Sequence, residues 1–159
     1  GLSGNDTPVA LSIGKDHAGQ VLAKGSVVES DPSFSPDGSK VAFTRTAVMT
    51  GDGFGDHIFV VPLAAPLTEV DISYAHLGPE MLWGDHDPEW IDDDRLVFWH
   101  SRVEYDGGKL VTMRDTGEER TTIDLPDGFS YRRPAPFTDG DGKLRMVFSA
   151  EKIDAPCTP

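Results

Sequence analysis

The chain has 159 residues, a formal net charge of −13 at pH 7 and an isoelectric point near 4.6. That length suits one domain with a sizeable core. The acidity argues against a nucleic-acid partner, because a phosphate backbone needs a basic surface. No apolar run reaches the roughly 20 residues of a membrane span, so we expect no membrane insertion. The single cysteine, Cys157, cannot form an internal disulfide, and we interpret it as a passive thiol.

The first predicted elements are two short strands in residues 8–25, and a β-hairpin follows them. The hairpin is Asp31–Arg45, with the sequence DPSFSPDGSKVAFTR. Its turn, Ser35–Gly38, holds a proline that presets one φ angle and a glycine available for positive φ. The leading prolines leave room only for a short first strand near Ser33–Ser35. The alternating residues Lys40–Arg45 predict the second strand.

This hairpin recurs twice along the chain. The second copy begins at Asp87 and the third at Arg133; each starts with a residue followed by proline and closes on a phenylalanine. The copies recur about every 50 residues, a period typical of β-propeller blades built from four short strands. The repeat therefore predicts an all-β fold.

The repeated pattern resembles the WD40-like repeat of TolB-type propellers, also called PD40. The matching segments 31–45, 87–102 and 133–149 together cover 48 residues, a little under a third of the chain. The resemblance implies a β-propeller of four-stranded antiparallel blades. It also implies an extracellular or periplasmic location.

Within the domain 1–159 we predict an outer half blade at 8–25, blades at 26–72 and 73–124, and an inner half blade at 129–150. These make three blades' worth of strands, whereas closed propellers typically hold four to eight blades. Two explanations stay open. The chain is a fragment of a longer propeller, or two copies form a six-bladed ring in which residues 8–25 of one chain pair with the strand at Leu144–Ala150 of the other. We favour the homodimer.

In such a propeller the residues just before each leading proline face one mouth of the central channel. Carboxylates, an imidazole and guanidiniums meeting there would form a polar ligand site. The alternative is that the acids cap turns and pair with the arginines. The predicted ligand-binding residues are Glu29, Asp31, Asp85, His86, Asp87, Tyr131, Arg132 and Arg133.

Two segments combine histidine with carboxylates, Gly84–Asp87 and Gly55–His57, but neither has a recognised metal-ligand spacing. We expect no cofactor, and a divalent cation near His86 or Asp87 is the less favoured alternative. Asp139–Gly142 resembles the start of a calcium loop, but the required later glutamate is absent, so a hairpin turn explains it better.

The three tryptophans receive different predictions. Trp90 occupies the aromatic position of the repeat and is expected in the core. Trp99 and its neighbour Phe98 are both expected between blades, and Trp83 lies in a predicted loop. Arg102, at the end of its strand, is interpreted as structural.

The favoured function is a secreted or periplasmic binding module that presents a channel mouth and rim to a protein or a small polar ligand. One alternative is a propeller lyase or hydrolase with a His/Arg/Asp site at the mouth, assisted by a metal. Another is an accessory propeller fragment of a larger protein. No nucleophile motif of the form G-x-S-x-G is present.

Overall fold

A computed structural model describes residues 28–46, 55–64, 68–73, 83–102 and 107–153. This part of the chain is all-β and holds no helix, so none there is long and apolar enough to cross a membrane. The predicted outer strands at 8–25 and Cys157 lie outside the described residues. The ten strands are β1 Val28–Phe34, β2 Lys40–Thr46, β3 Asp56–Pro62, β4 Val70–Asp71, β5 Trp83–Trp90, β6 Arg95–Arg102, β7 Lys109–Arg114, β8 Thr121–Thr122, β9 Phe129–Thr138 and β10 Leu144–Lys152.

The strands form two units and a hairpin. Strands β1–β4 pair in antiparallel order and make the first unit, and β5–β8 repeat the same order in the second unit. A single parallel pairing, Asp56 with Gly84, joins the units into one open mixed sheet of eight strands. Strands β9 and β10 form a separate two-stranded sheet, the third hairpin. The predicted all-β class is confirmed.

Each of the strands β1, β5 and β9 contains a β-bulge at its leading proline. The residue before the proline has a positive φ: 53° at Asp31, 49° at Asp87 and 51° at Arg133. At each bulge two residues oppose one residue on the partner strand. The regular pattern of strand hydrogen bonds is interrupted there, so a proline without an N–H is tolerated. The single residue on the partner strand is a phenylalanine in each repeat: Phe43, Phe98 and Phe148.

The predicted short first strands are therefore wrong. Strand β1 begins at Val28, not near Ser33, and β5 begins at Trp83 inside the segment predicted as a loop. The bulge is the physical reason, because it lets a strand continue through a proline. The turn prediction is confirmed: Gly38 has a φ of 70°, and its N–H donates to the Ser35 carbonyl.

The main core lies between the first and the second unit. Trp90 is 6% exposed in that core, as predicted, and its indole N–H donates to the Ser33 carbonyl. The Ser33 hydroxyl in turn donates to Glu89 across the same contact. The core residues are Ala42, Ile58, Val60, Ile72, Trp90, Leu96, Phe98, Val111 and Met113.

The third hairpin packs on the second unit but leaves apolar side chains exposed. Val147 of β10 is 62% exposed, whereas Ala42 and Val97, which occupy the same register position in the two units, are 0% exposed. In the described part of the chain no strand pairs with the outer edge of β10.

Candidate functional site

The three bulges bring a charged residue from each repeat to one place. Burial raises the pKa of the Asp87 carboxyl, and the negative charge of Asp31 raises it further. The hydrogen bond from Trp99 and the charges of His86 and Arg133 act in the opposite direction without reversing the shift. Asp31 and Arg133 therefore lie within electrostatic range of Asp87, although each belongs to a different repeat.

Trp99 is the centre of this group. Its indole N–H donates to a carboxylate oxygen of Asp87 at 2.6 Å, and its ring stacks on His86 with 4.2 Å between centroids. The guanidinium carbon of Arg132 lies 5.2 Å from the Trp99 ring. We call this set the polar cluster: Asp31, His86, Asp87, Trp99, Arg132 and Arg133.

The sequence does not predict Trp99 as a site residue, because the repeat places it between blades together with Phe98. Phe98 is fully buried, but Trp99 is only half-buried. Strand alternation places the two residues on opposite faces of the sheet, but it does not show how completely each face is covered.

His86 is held by two partners within the protein. Its Nδ1 lies 3.0 Å from an Asp56 carboxylate oxygen, and its Nε2 lies 3.2 Å from the Ser101 hydroxyl. The two segments considered for a metal thus meet through Asp56 and His86. His57 lies apart from them, buried with Nδ1 2.8 Å from Asp71. The described residues contain no group of three His, Cys, Asp or Glu side chains that could hold a metal ion.

Arg132 and Arg133 differ from the other arginines whose side chains the structure describes. Both are exposed, and neither side chain forms a hydrogen bond or an ion pair in the described part of the chain. The arginines that do pair with carboxylates are Arg45, Arg95, Arg114, Arg120 and Arg145. Among the described residues neither arginine forms a hydrogen-bonded ion pair with Asp31 or Asp87, although the charge of Arg133 acts on Asp87.

The remaining predicted site residues lie deeper in the sheet. Glu29 is opposite Arg45 on the neighbouring strand, and its side chain is 7% exposed. One Glu29 oxygen accepts two hydrogen bonds from Arg45, which also pairs with Glu69. The Arg45 guanidinium lies 4.2 Å from the Phe59 ring. Burial raises the pKa of Glu29, and the bonds and charge of Arg45 only partly offset it.

Asp85 occupies in the second unit the register position that Glu29 occupies in the first, and it is fully buried. It accepts two hydrogen bonds from Arg120 at 2.9 Å and lies 2.8 Å from Nδ1 of His100. The Ser73 hydroxyl also donates to it, at 2.7 Å. Burial alone would raise the pKa of Asp85, but the bonds and charges of His100 and Arg120 outweigh burial and lower it to about 2.

Tyr131 holds the corresponding position in the third hairpin, opposite Ala150. It is 3% exposed, its hydroxyl donates to the Pro126 carbonyl, and its ring meets Phe148 edge-on at 5.5 Å. The structure thus separates the predicted residues into two groups. Five lie in the polar cluster, and Glu29, Asp85 and Tyr131 lie buried at one equivalent register position.

Comparison with known proteins gives a distant relative. The chain is 28% identical over 123 residues to the uncharacterized peptidase YuxL of Bacillus subtilis (strain 168). The match covers 76% of this chain and 17% of that protein, so the chain spans less than a fifth of the relative's length. No family model matches the chain.

Proposed function

We propose that the chain is part of a TolB-like β-propeller and that it binds a small polar ligand or a protein segment at the polar cluster. Each four-stranded unit would be one blade, and the third hairpin would be the inner half of another. The sequential antiparallel order within each unit and the face-to-face core between units support this interpretation.

One observation carries the binding proposal. Asp31, Asp87 and Arg133 sit at the same position of three repeats, each has a left-handed backbone, and all act on one small region. A non-glycine residue in that conformation costs on the order of 1–3 kcal/mol, and such strain concentrates at binding and catalytic sites. Glycine adopts a positive φ without this strain, so a β-bulge with glycine at this position would be more stable.

The test is a ligand titration followed at the Trp99 indole N–H, which lies within the cluster. In ¹H–¹⁵N spectra of the full chain, the Trp99→Phe variant identifies that signal. The probes are N-acetylglycine, N-acetylglycinamide and methylammonium. A saturable shift of the Trp99 signal with any of them supports the proposal, and no shift with all three contradicts it.

A second proposal concerns the protein to which this propeller belongs. The likeness to a protein named as a peptidase, of which the chain matches only 17%, favours an accessory propeller within a longer protein. The alternative of a lyase or hydrolase site at the polar cluster finds less support, because both ring nitrogens of His86 already have partners. A purified longer protein that cleaves peptides only when the propeller is present would support the accessory role.

The exposed third hairpin supports completion of the propeller by further strands. Val147 is exposed, whereas Ala42 and Val97, at the same register position of the first two repeats, are buried. In the described part of the chain β10 also has an edge that pairs with no strand. A second copy that closes a six-bladed ring would cover this surface, and so would more chain of a longer protein. Light scattering on this chain separates the two, because twice the mass of 17.2 kDa supports the homodimer and a stable monomer contradicts it. For either, we keep an extracellular or periplasmic location as part of the proposal.

A further inference from the structure

We propose that Arg132 and Arg133 form a carboxylate-binding site, so that the ligand of the polar cluster carries a monoanionic carboxylate group. This inference rests on the proposed function, because it names the ligand class of the same site. A guanidinium presents its donors in a planar fork that matches the two oxygens of a carboxylate.

The first argument is that neither guanidinium forms an ion pair with a described residue. Acidic residues outnumber basic ones here, with 27 Asp and Glu against 14 Lys and Arg. The other arginines with described side chains all pair with a carboxylate. Two adjacent arginines left without an ion pair in the described part of such a protein are available to an anion from outside.

The second argument is that each arginine acts on one member of a hydrogen-bonded pair, Trp99 and Asp87. Arg132 lies against the Trp99 ring, Arg133 acts on the charge of Asp87, and Trp99 is hydrogen-bonded to Asp87. Consecutive residues of a regular strand point to opposite faces, but the bulge at Arg133 interrupts that alternation. The contact with Trp99 also restricts the Arg132 side chain, so less conformational entropy is lost on binding.

The third argument separates a carboxylate from a phosphate. Two carboxylates, Asp31 and Asp87, belong to the same polar cluster, and the charge of Asp31 already raises the pKa of Asp87. A dianionic phosphate would meet this negative charge more strongly than a monoanion would, because Coulomb repulsion scales with the product of the charges. The cluster therefore favours a single negative charge.

The experiment adds selectivity and variants to the titration of the full chain. We expect N-acetylglycine to shift the Trp99 indole signal saturably, its neutral isostere N-acetylglycinamide to leave it unchanged, and inorganic phosphate at pH 7 to bind more weakly. Added salt should weaken the binding of N-acetylglycine, because exposed charges are screened.

Variants assign the effect to the two arginines. Arg132→Gln with Arg133→Gln should weaken N-acetylglycine at least tenfold, and lysine at both positions should restore only part of the loss. The matched control is Lys143→Gln with Arg145→Gln, which removes the same charge from the same hairpin. We expect the control to bind as the unaltered chain does.

The outcomes separate this inference from the proposed function. If methylammonium or N-acetylglycinamide shifts Trp99 and N-acetylglycine does not, the binding site stands and the carboxylate inference is wrong. Phosphate binding more tightly than N-acetylglycine also overturns it, as does an equal loss in the control variant. If no probe shifts Trp99, both fail. The titrations of the unaltered chain decide the ligand class even where a glutamine variant does not fold.

Discussion

The first and the second unit place a partly buried ion cluster at the same three positions but distribute the charges differently. In the first unit Arg45 is a single cation between Glu29 and Glu69. In the second unit Asp85 is a single fully buried anion whose carboxylate pairs with both Arg120 and His100. The topology thus provides one polar row across the sheet, and the residues in it determine the sign of the charge at each position.

This difference reverses the direction of the pKa shift at one register position. Glu29 shares its cation with a second acid, so burial prevails and its pKa is raised. Asp85 receives bonds from both His100 and Arg120, and its pKa falls to about 2. Equivalent positions in a repeat therefore need not have equivalent electrostatics.

The largest expected effect tests the packing of the same two units. Trp90 and Phe34 end their strands at the same repeat position, but Trp90 is 6% exposed and Phe34 is 64% exposed. Trp90→Ala should lower the free energy of unfolding by about 4 kcal/mol through the cavity it leaves. Phe34→Ala should change it by less than about 0.5 kcal/mol. Urea unfolding measures both, and similar losses would contradict the unequal burial of the two positions.

The next prediction breaks each ion cluster at its strand carboxylate. Asp85→Asn leaves Arg120 without a full counter-charge beside a buried site and should cost about 3 kcal/mol. Glu29→Gln should cost about 1 kcal/mol, because Arg45 keeps Glu69 as a partner. The two variants serve as controls for each other in urea unfolding. A larger loss for Glu29→Gln would reverse the comparison.

Acid titration of stability sharpens the same contrast. The pKa of Asp85 is lower in the folded than in the unfolded chain, so its contribution of about 2 kcal/mol should be lost as pH falls from about 4 to 2. Glu29 has a raised pKa, so the folded chain binds its proton more tightly, and stability should fall as pH rises above 4.5. The measurement is the unfolding midpoint at several values between pH 2 and 6. In Asp85→Asn the loss of stability towards low pH should disappear. In Glu29→Gln the loss of stability above pH 4.5 should disappear. An unchanged profile in either variant would refute the corresponding assignment.

The smallest effect concerns the turn of the first unit. Gly38 has a φ of 70°, and a Cβ atom added there would meet nothing within 4 Å. Gly38→Ala should therefore cost about 1 kcal/mol through backbone strain alone. Gly140→Ala is the matched control, because its Cβ would also meet nothing and its φ is not positive. Thermal unfolding that shows equal changes would remove the strain argument.

Much of the fold could be predicted from local patterns. The turn at Ser35–Gly38, the hairpin strands and the core position of Trp90 depend on residue types and short spacings, which are visible in the sequence. Local patterns predict first strands that are too short, because by those patterns proline ends a strand. The bulge that accommodates proline depends on the partner strand, which local patterns do not describe.

The candidate site was predictable only in part. The repeat aligned Asp31, Asp87 and Arg133, but it could not separate them from Glu29, Asp85 and Tyr131, which are two residues earlier in each copy. Burial makes that separation, because the earlier residues face Arg45, His100 and Ala150 across the sheet. Trp99 entered the site through contacts with residues from two repeats, which no single-repeat pattern contains.

The sequence by itself determined the all-β class, the repeat and the positions of its turns, because these depend on interactions between residues close in the chain. Only the tertiary structure decided which polar residues are buried and which stay available. It also decided the sign of each pKa shift, since this sign depends on how many charges from other strands reach a carboxylate, as at Asp85 and Glu29. The lack of an ion pair between Arg132 or Arg133 and any described residue is a result of the same kind, because an ion pair exists or not only once the strands are placed.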